Sequence, residues 1–218
     1  MIRTGFTDQS SSLRSLSALF ATALIVCVAT SQSMVAQNAA AAVPLKVGVQ
    51  APDAALRTAD GKETDLKSVL NKRPTVLIFY RGGWCPFCNM HLADLATVEG
   101  QLHDLGFQIV AITPDTPEEI SKTIGKHKLT YQVLSDSKAV SLQRFGVAYR
   151  LDDETYGKMK DSYHVDLETY SGEKHHILPV PSVFLIDAKG KIVYVHSNPD
   201  YKVRMKGAEI VAVAKEAR

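Results

Sequence analysis

The run Thr75-Val76-Leu77-Ile78-Phe79-Tyr80 is apolar and β-favouring, and it leads directly into Arg81-Gly82-Gly83-Trp84-Cys85-Pro86-Phe87-Cys88-Asn89. From Phe87 onward, apolar residues recur at helical spacing at Leu92, Leu95, Val98, Leu102 and Leu105, and the pattern stops at Gly106. A second apolar strand pattern covers residues 108–113. A strand, a helix of about 18 residues and another strand form a βαβ unit, whose two strands must run parallel. The chain therefore belongs to the α/β class, and its paired cysteines stand where a strand hands over to a helix.

That position has chemical consequences. A helix N-terminus carries about half a positive charge and unpaired N–H groups. Both stabilise a thiolate, which lowers a thiol pKa from about 8.5 toward neutrality or below. The two-residue spacing lets the second sulfur close on the first. A disulfide closing so small a loop adds little stability, so Cys85 and Cys88 read as a redox pair rather than a staple. A metal site needs more ligands than this pair and His91 supply, and His164, His175 and His176 lie too far along the chain to be assigned to it.

The other elements follow from periodicity and punctuation. Residues 48–53 and 59–62 read as turns, and 66–70 as a short helix. Pro114 to Glu119 opens a helix that reaches about His127, with its acids at the positive end. Residues 133–134 form a short strand and 138–145 a helix. Residues 146–178 read as an irregular insertion with one helix at 153–163. Asp187-Ala188-Lys189-Gly190 joins two strands, 182–186 and 192–196, as a hairpin, and 209–217 closes the chain as a helix.

The N-terminus is of a different kind. Arg3 and Arg14 precede an almost wholly apolar run from Leu16 to Ala29, which contains Cys27, and small and polar residues follow. This is the layout of a secretory signal, and the run is shorter than the ~20 residues that span a bilayer. Residues 1–36 are expected to be a signal peptide cut near Ala36, with 38–42 as a second possible site and an uncleaved membrane anchor as the alternative. Residues 37–46 are expected to be a disordered leader, and 47–218 one folded domain. Export would place the protein in a bacterial periplasm or cell envelope. The net charge of +2 points to neither a nucleic-acid nor a membrane-surface partner.

The runs Phe79–Asn89 and Leu178-Pro179-Val180-Pro181-Ser182-Val183-Phe184-Leu185-Ile186-Asp187 resemble the peroxiredoxin-like branch of the alkyl hydroperoxide reductase/thiol-specific antioxidant family. Ala51-Pro52-Asp53 matches the family's common start, with Ala54 where Phe is usual, and Asn198-Pro199-Asp200-Tyr201 also has its character. The resemblance covers about residues 47 to 217 and implies a thioredoxin-like fold, a central mixed β-sheet flanked by helices. It also implies thiol-based reduction of hydrogen peroxide or organic hydroperoxides, with recycling by a thioredoxin-like protein and no cofactor.

The departures from the family pattern shift the expected roles. Arg81 stands where the family places Pro, Cys85 where it places Thr, and Cys88 takes the peroxidatic slot. Pro181 replaces the activating Arg and resembles the cis-proline that thioredoxins hold beside their disulfide. By thioredoxin logic Cys85 attacks, exposed at the helix start, and Cys88 resolves; the family alignment reverses these roles. Cys85 is the expected nucleophile. Trp84 reads either as a wall contacting a partner or as core packing. Arg81 reads either as a cation beside the thiols or as a surface charge. Arg150 and Arg204 are candidates to replace the missing Arg, and His91 is expected to be solvated. Two other functions fit the same residues: an exported thiol–disulfide oxidoreductase acting on protein disulfides, and a non-catalytic binding module of thioredoxin fold.

Overall fold

The structure, a computed structural model, describes residues 1–2, 35–71 and 73–217. The chain divides into two units, Met1–Gln32 and Ser33–Arg218, and every element below belongs to the second. The expected signal segment falls almost wholly outside the described residues.

Seven strands make a mixed sheet: β1 (Ala55–Thr58), β2 (Glu63–Asp65), β3 (Thr75–Phe79), β4 (Gln108–Thr113), β5 (Gln132–Ser135), β8 (Ser182–Ile186) and β9 (Ile192–Ser197), in the order β2-β1-β5-β4-β3-β8-β9. β3 pairs in parallel with β4 and antiparallel with β8, so it lies inside the sheet with both faces covered. Its side chains alternate. Val76 and Ile78 join one apolar cluster, and Leu77 and Phe79 join the other. β4 and β8 alternate likewise, as the two-residue period of a strand requires. A strand buried on both faces must be apolar throughout, which is why its sequence reads as a continuous run.

Helices α2 (Pro86–Asp104), α3 (Pro117–His127) and α7 (Gly207–Glu216) cover the first cluster, and α1 (Leu66–Leu70) and α4 (Val140–Arg144) cover the second. The second cluster is centred on Phe79, Phe145 and Phe184, whose ring centroids lie 5.0 to 5.8 Å apart. α7 seats tightly on α2. A Cβ at Gly207 would come within 2.9 Å of Val98 and 3.3 Å of the Asp94 carbonyl, and Gly207 N–H donates to Asp94 Oδ2 at 2.6 Å.

Three regions differ from expectation. Residues 55–58 and 63–65, on either side of the expected turn, pair as an antiparallel hairpin at the sheet edge. They are too short and too polar to announce themselves as strands. The 146–178 insertion holds not one helix but a two-stranded ribbon, β6 (Ala148–Arg150) with β7 (Ile177–Pro179), enclosing α5 (Asp153–Tyr163) and α6 (Leu167–Ser171). Its apolar side chains form a small core of their own, including Tyr149, Met159, Leu167 and Leu178.

The expected disordered leader, residues 37–46, is docked. Asn38 caps a short 3-10 turn, Ala39–Ala41, and accepts Ala41 N–H. Arg150 N–H donates to the Ala36 carbonyl, and Leu45 N–H donates to the Phe145 carbonyl. Alanine-rich composition signalled low order, but backbone hydrogen bonds with Phe145 and Arg150 hold the segment.

Candidate active site

Past the end of β3 the backbone makes a tight turn at Gly82 and Gly83. Gly82 has φ +155°, and a Cβ there would lie 2.8 Å from Asp115 Oδ1 and closer still to the Trp84 indole. Only glycine fits. Gly83 N–H donates to Asp115 Oδ2 at 2.7 Å, and its carbonyl accepts from Asn89 Nδ2 at 2.8 Å. The Gly82 carbonyl accepts Cys85 N–H at 3.1 Å. The turn is thus held from both sides, and it delivers Cys85 to the N-cap of α2 with Pro86 at the first helical position. Asp115 sits just beyond β4 and is buried; burial raises its carboxyl to about 8 against the pull of the Gly83 N–H.

Both cysteines are free thiols, and both are buried, Cys85 at 1 % and Cys88 at 0 % exposure. The expected solvent-facing Cys85 is therefore corrected. Tyr149, Arg81 and the loop after β9 crowd the helix start. The two sulfurs are nonetheless different. The Cys88 thiol donates to Cys85, and with the Cys88 N–H, Arg81 and Arg204 it lowers Cys85 to about 6. Burial, followed by the hydrogen bond to Cys85 and then the Cys85 charge, pushes Cys88 well above the ordinary thiol range. Cys85 is thus the sulfur on which a thiolate is favoured, and Cys88 the thiol that steadies it.

Arg81 is 7 % exposed, so the surface-charge reading fails. Its guanidinium lies over two rings, 5.0 Å from the Trp84 centroid and 4.3 Å from that of Tyr201. Such stacking is a stabilising arrangement for a desolvated cation. Trp84 is half-buried between the two roles expected of it. It packs on the main core and on the insertion's core, 6.4 Å from Tyr170. Of the two candidate replacement arginines, the structure brings in Arg204, whose Nη2 donates to Cys88 Sγ at 3.6 Å. Arg150 is remote in role: it is exposed and pairs with Asp153 at 3.0 Å.

Pro181 follows a trans peptide bond, as does every described residue, so its likeness to a cis-proline does not hold. Its carbonyl accepts Asn198 N–H at 3.4 Å, which ties down the loop that carries Tyr201 and Arg204. His91, expected in solvent, is buried, and burial with the nearby Arg204 lowers it to about 4. A neutral imidazole one turn below Cys88 is packing. His175 and His176 are half-buried. His176 stacks on Tyr156 at 3.8 Å and bonds Glu168 at 2.9 Å, and so fastens α5 and α6 to β7.

Asp115 and Tyr149 escaped sequence reasoning, and Asn89 and Tyr201 entered it only as parts of family-like runs. Asp115 did carry a signal. It stands at the C-terminal end of the strand parallel to β3, the edge of an α/β sheet at which sites form.

A mixed sheet of this order, with a Cys-x-x-Cys opening the helix after its central strand, defines a protein of thioredoxin-like fold with a dithiol site. Solved structures agree on the fold. Peroxidoxin BcpB from Mycobacterium tuberculosis superposes with a TM-score of 0.62 at 20 % identity, covering 80 % of this chain and 99 % of its own. A peroxiredoxin-like protein from Aquifex aeolicus also gives 0.62, at 21 % identity, over 80 % of this chain and 88 % of its own. Residues 47–195 match the model of the AhpC/TSA family, and the chain belongs to that family. Among curated relatives, peroxiredoxin Bcp of Escherichia coli K12 is 29 % identical over 152 residues, 70 % of this chain and 85 % of the relative. The putative peroxiredoxin bcp of Helicobacter pylori is 29 % identical over 165 residues, 75 % and 92 % of the two chains.

Proposed function

We propose that the protein reduces hydrogen peroxide or organic hydroperoxides through Cys85 and Cys88. The observation that carries this reading is the asymmetry of the pair: a thiolate at about 6 beside a thiol held protonated by burial, with two guanidiniums alongside. The Cys85 thiolate attacks one peroxide oxygen, the O–O bond breaks, and the leaving alkoxide or hydroxide takes a proton. Arg81 and Arg204 offset the negative charge that develops on the departing oxygen. The sulfenic acid on Cys85 then condenses with Cys88, expelling water and closing a disulfide. A thioredoxin-like protein returns the pair to the dithiol by exchange. Export through the N-terminal segment accords with this chemistry, and a donor on the same side of the membrane is then required.

Stopped-flow fluorescence of Trp84, the only tryptophan, tests the proposal. Mixing reduced protein with hydrogen peroxide is expected to give a second-order rate far above that of a free thiol, abolished by Cys85→Ser. In Cys88→Ser the first phase survives and the second is lost. A rate no better than free cysteine, with fast exchange against a protein disulfide, would instead make the protein a thiol–disulfide oxidoreductase. That second reading draws on the spacing of the pair.

A further inference from the structure

Arg81 and Arg204 are an anomaly of charge. Among the described residues neither forms an ion pair with a carboxylate, and the Nε of each is buried without a hydrogen-bond partner. Arg81 lies against two aromatic rings and meets the Tyr149 hydroxyl, and Arg204 spends Nη1 on the Tyr201 and Val203 carbonyls of its own loop. Asp115 shares a small cavity with Arg81, but its Oδ2 accepts Gly83 N–H at 2.7 Å, and burial raises its carboxyl to about 8, which favours the neutral form. Asp94 is engaged at the start of α7. Their shared negative neighbour is the cysteine pair: Arg204 Nη2 donates to Cys88 Sγ at 3.6 Å, and the charges of Arg81 and Arg204 both help to lower Cys85. A cation as buried as Arg81 is costly unless paired, Arg204 beside it is half-buried, and oxidation removes the thiolate.

We infer that the oxidised site is an anion site: once the Cys85–Cys88 disulfide closes, Arg81 and Arg204 face no negative group and select a reductant whose thiol stands beside a carboxylate. The inference rests on the disulfide cycle proposed above. In the step concerned, the donor thiolate attacks Cys85 Sγ, the Cys85–Cys88 bond breaks, and Cys88 leaves as a thiolate that takes a proton from water. A second donor thiolate then releases Cys85 and departs as the donor's disulfide, so two thiols supply the two electrons. The carboxylate accepts from the two guanidiniums throughout.

The test uses the full chain with Cys27→Ser, oxidised with diamide, and three small thiols as probes: 3-mercaptopropionate, 2-mercaptoethanol and 2-mercaptoethylamine. Rates are expressed per thiolate and corrected for intrinsic nucleophilicity, whose dependence on thiol pKa is about 0.4–0.5 in log units. Mercaptopropionate is expected to lead mercaptoethanol by about tenfold, with the amine slowest. The lead should collapse near 1 M salt, where the Debye length is about 3 Å. Arg204→Met should erase most of it and Arg204→Lys restore it. A rate that saturates at low millimolar mercaptopropionate marks a site for a small acidic thiol; a linear rate marks a protein donor that brings its own acidic surface. Equal rates for the three probes, or a preference unchanged in both Arg204→Met and Arg81→Met, would overturn the inference alone. If diamide left the Cys85 and Cys88 thiols titratable, the disulfide cycle would fall with it.

Discussion

At the scale of single residues, the site separates two sulfurs by environment rather than by chemistry. Cys85 is a depressed thiol, so its reactive form is present above about pH 6 and lost below it. Alkylation of reduced protein by iodoacetamide is expected to reach half its plateau near that pH at Cys85, with Cys88 unreactive, as peptide mapping would reveal. Asp115 has the opposite sign. Its carboxyl titrates at 3.8 when unfolded and about 8 when folded. Across that window the unfolded chain ionises while the folded one stays protonated, so this group subtracts stability as pH rises. Asp115→Asn keeps an acceptor for Gly83 N–H and removes the titration. Its melting temperature relative to wild type should therefore climb between pH 4.5 and pH 8, and a pH-independent difference would contradict the assignment. Asp115→Ala leaves the Gly83 N–H unpaired, at a cost of about 1–3 kcal/mol.

At the scale of elements, α2 does two jobs. Its first turn presents the sulfurs, and its middle receives α7. The Gly207 contact with Val98 and the Asp94 carbonyl leaves no room for a methyl group. Gly207→Ala is expected to cost about 1–3 kcal/mol by overpacking, read as a lower urea midpoint. The Cys85 titration should stay unchanged, because the two jobs sit at different turns. The elements with strong periodicity, α2, α3, β3 and β4, stand where the sequence pattern puts them. The β1–β2 hairpin and the β6–β7 ribbon did not show in the pattern. Their strands are three or four residues long, and what orders them is pairing with distant partners such as Ser135 and Leu178.

At the scale of the whole molecule, residues 35–46 behave as part of the fold. Val35 and Leu45 pack on the second core cluster, and Ala36 bridges to Tyr149, whose hydroxyl group faces Arg81. A chain beginning at residue 47 is therefore expected to melt below one beginning at residue 35. For a domain of this size each 1 kcal/mol corresponds to about 2–4 °C, and calorimetry of the two chains decides it. Equal melting temperatures would show that the docked segment adds nothing.

The sequence alone determined the βαβ unit, the place of the cysteine pair within it and the family, because hydrophobic period, glycine placement and a two-residue cysteine spacing are local properties. The tertiary structure alone decided which arginine reaches the sulfurs, that Arg81 is a sandwiched cation and that Asp115 clamps the turn. Those outcomes depend on contacts between residues 32 to 120 positions apart. Charge and burial act through space, so the same side chain reads as surface or site until the chain folds around it.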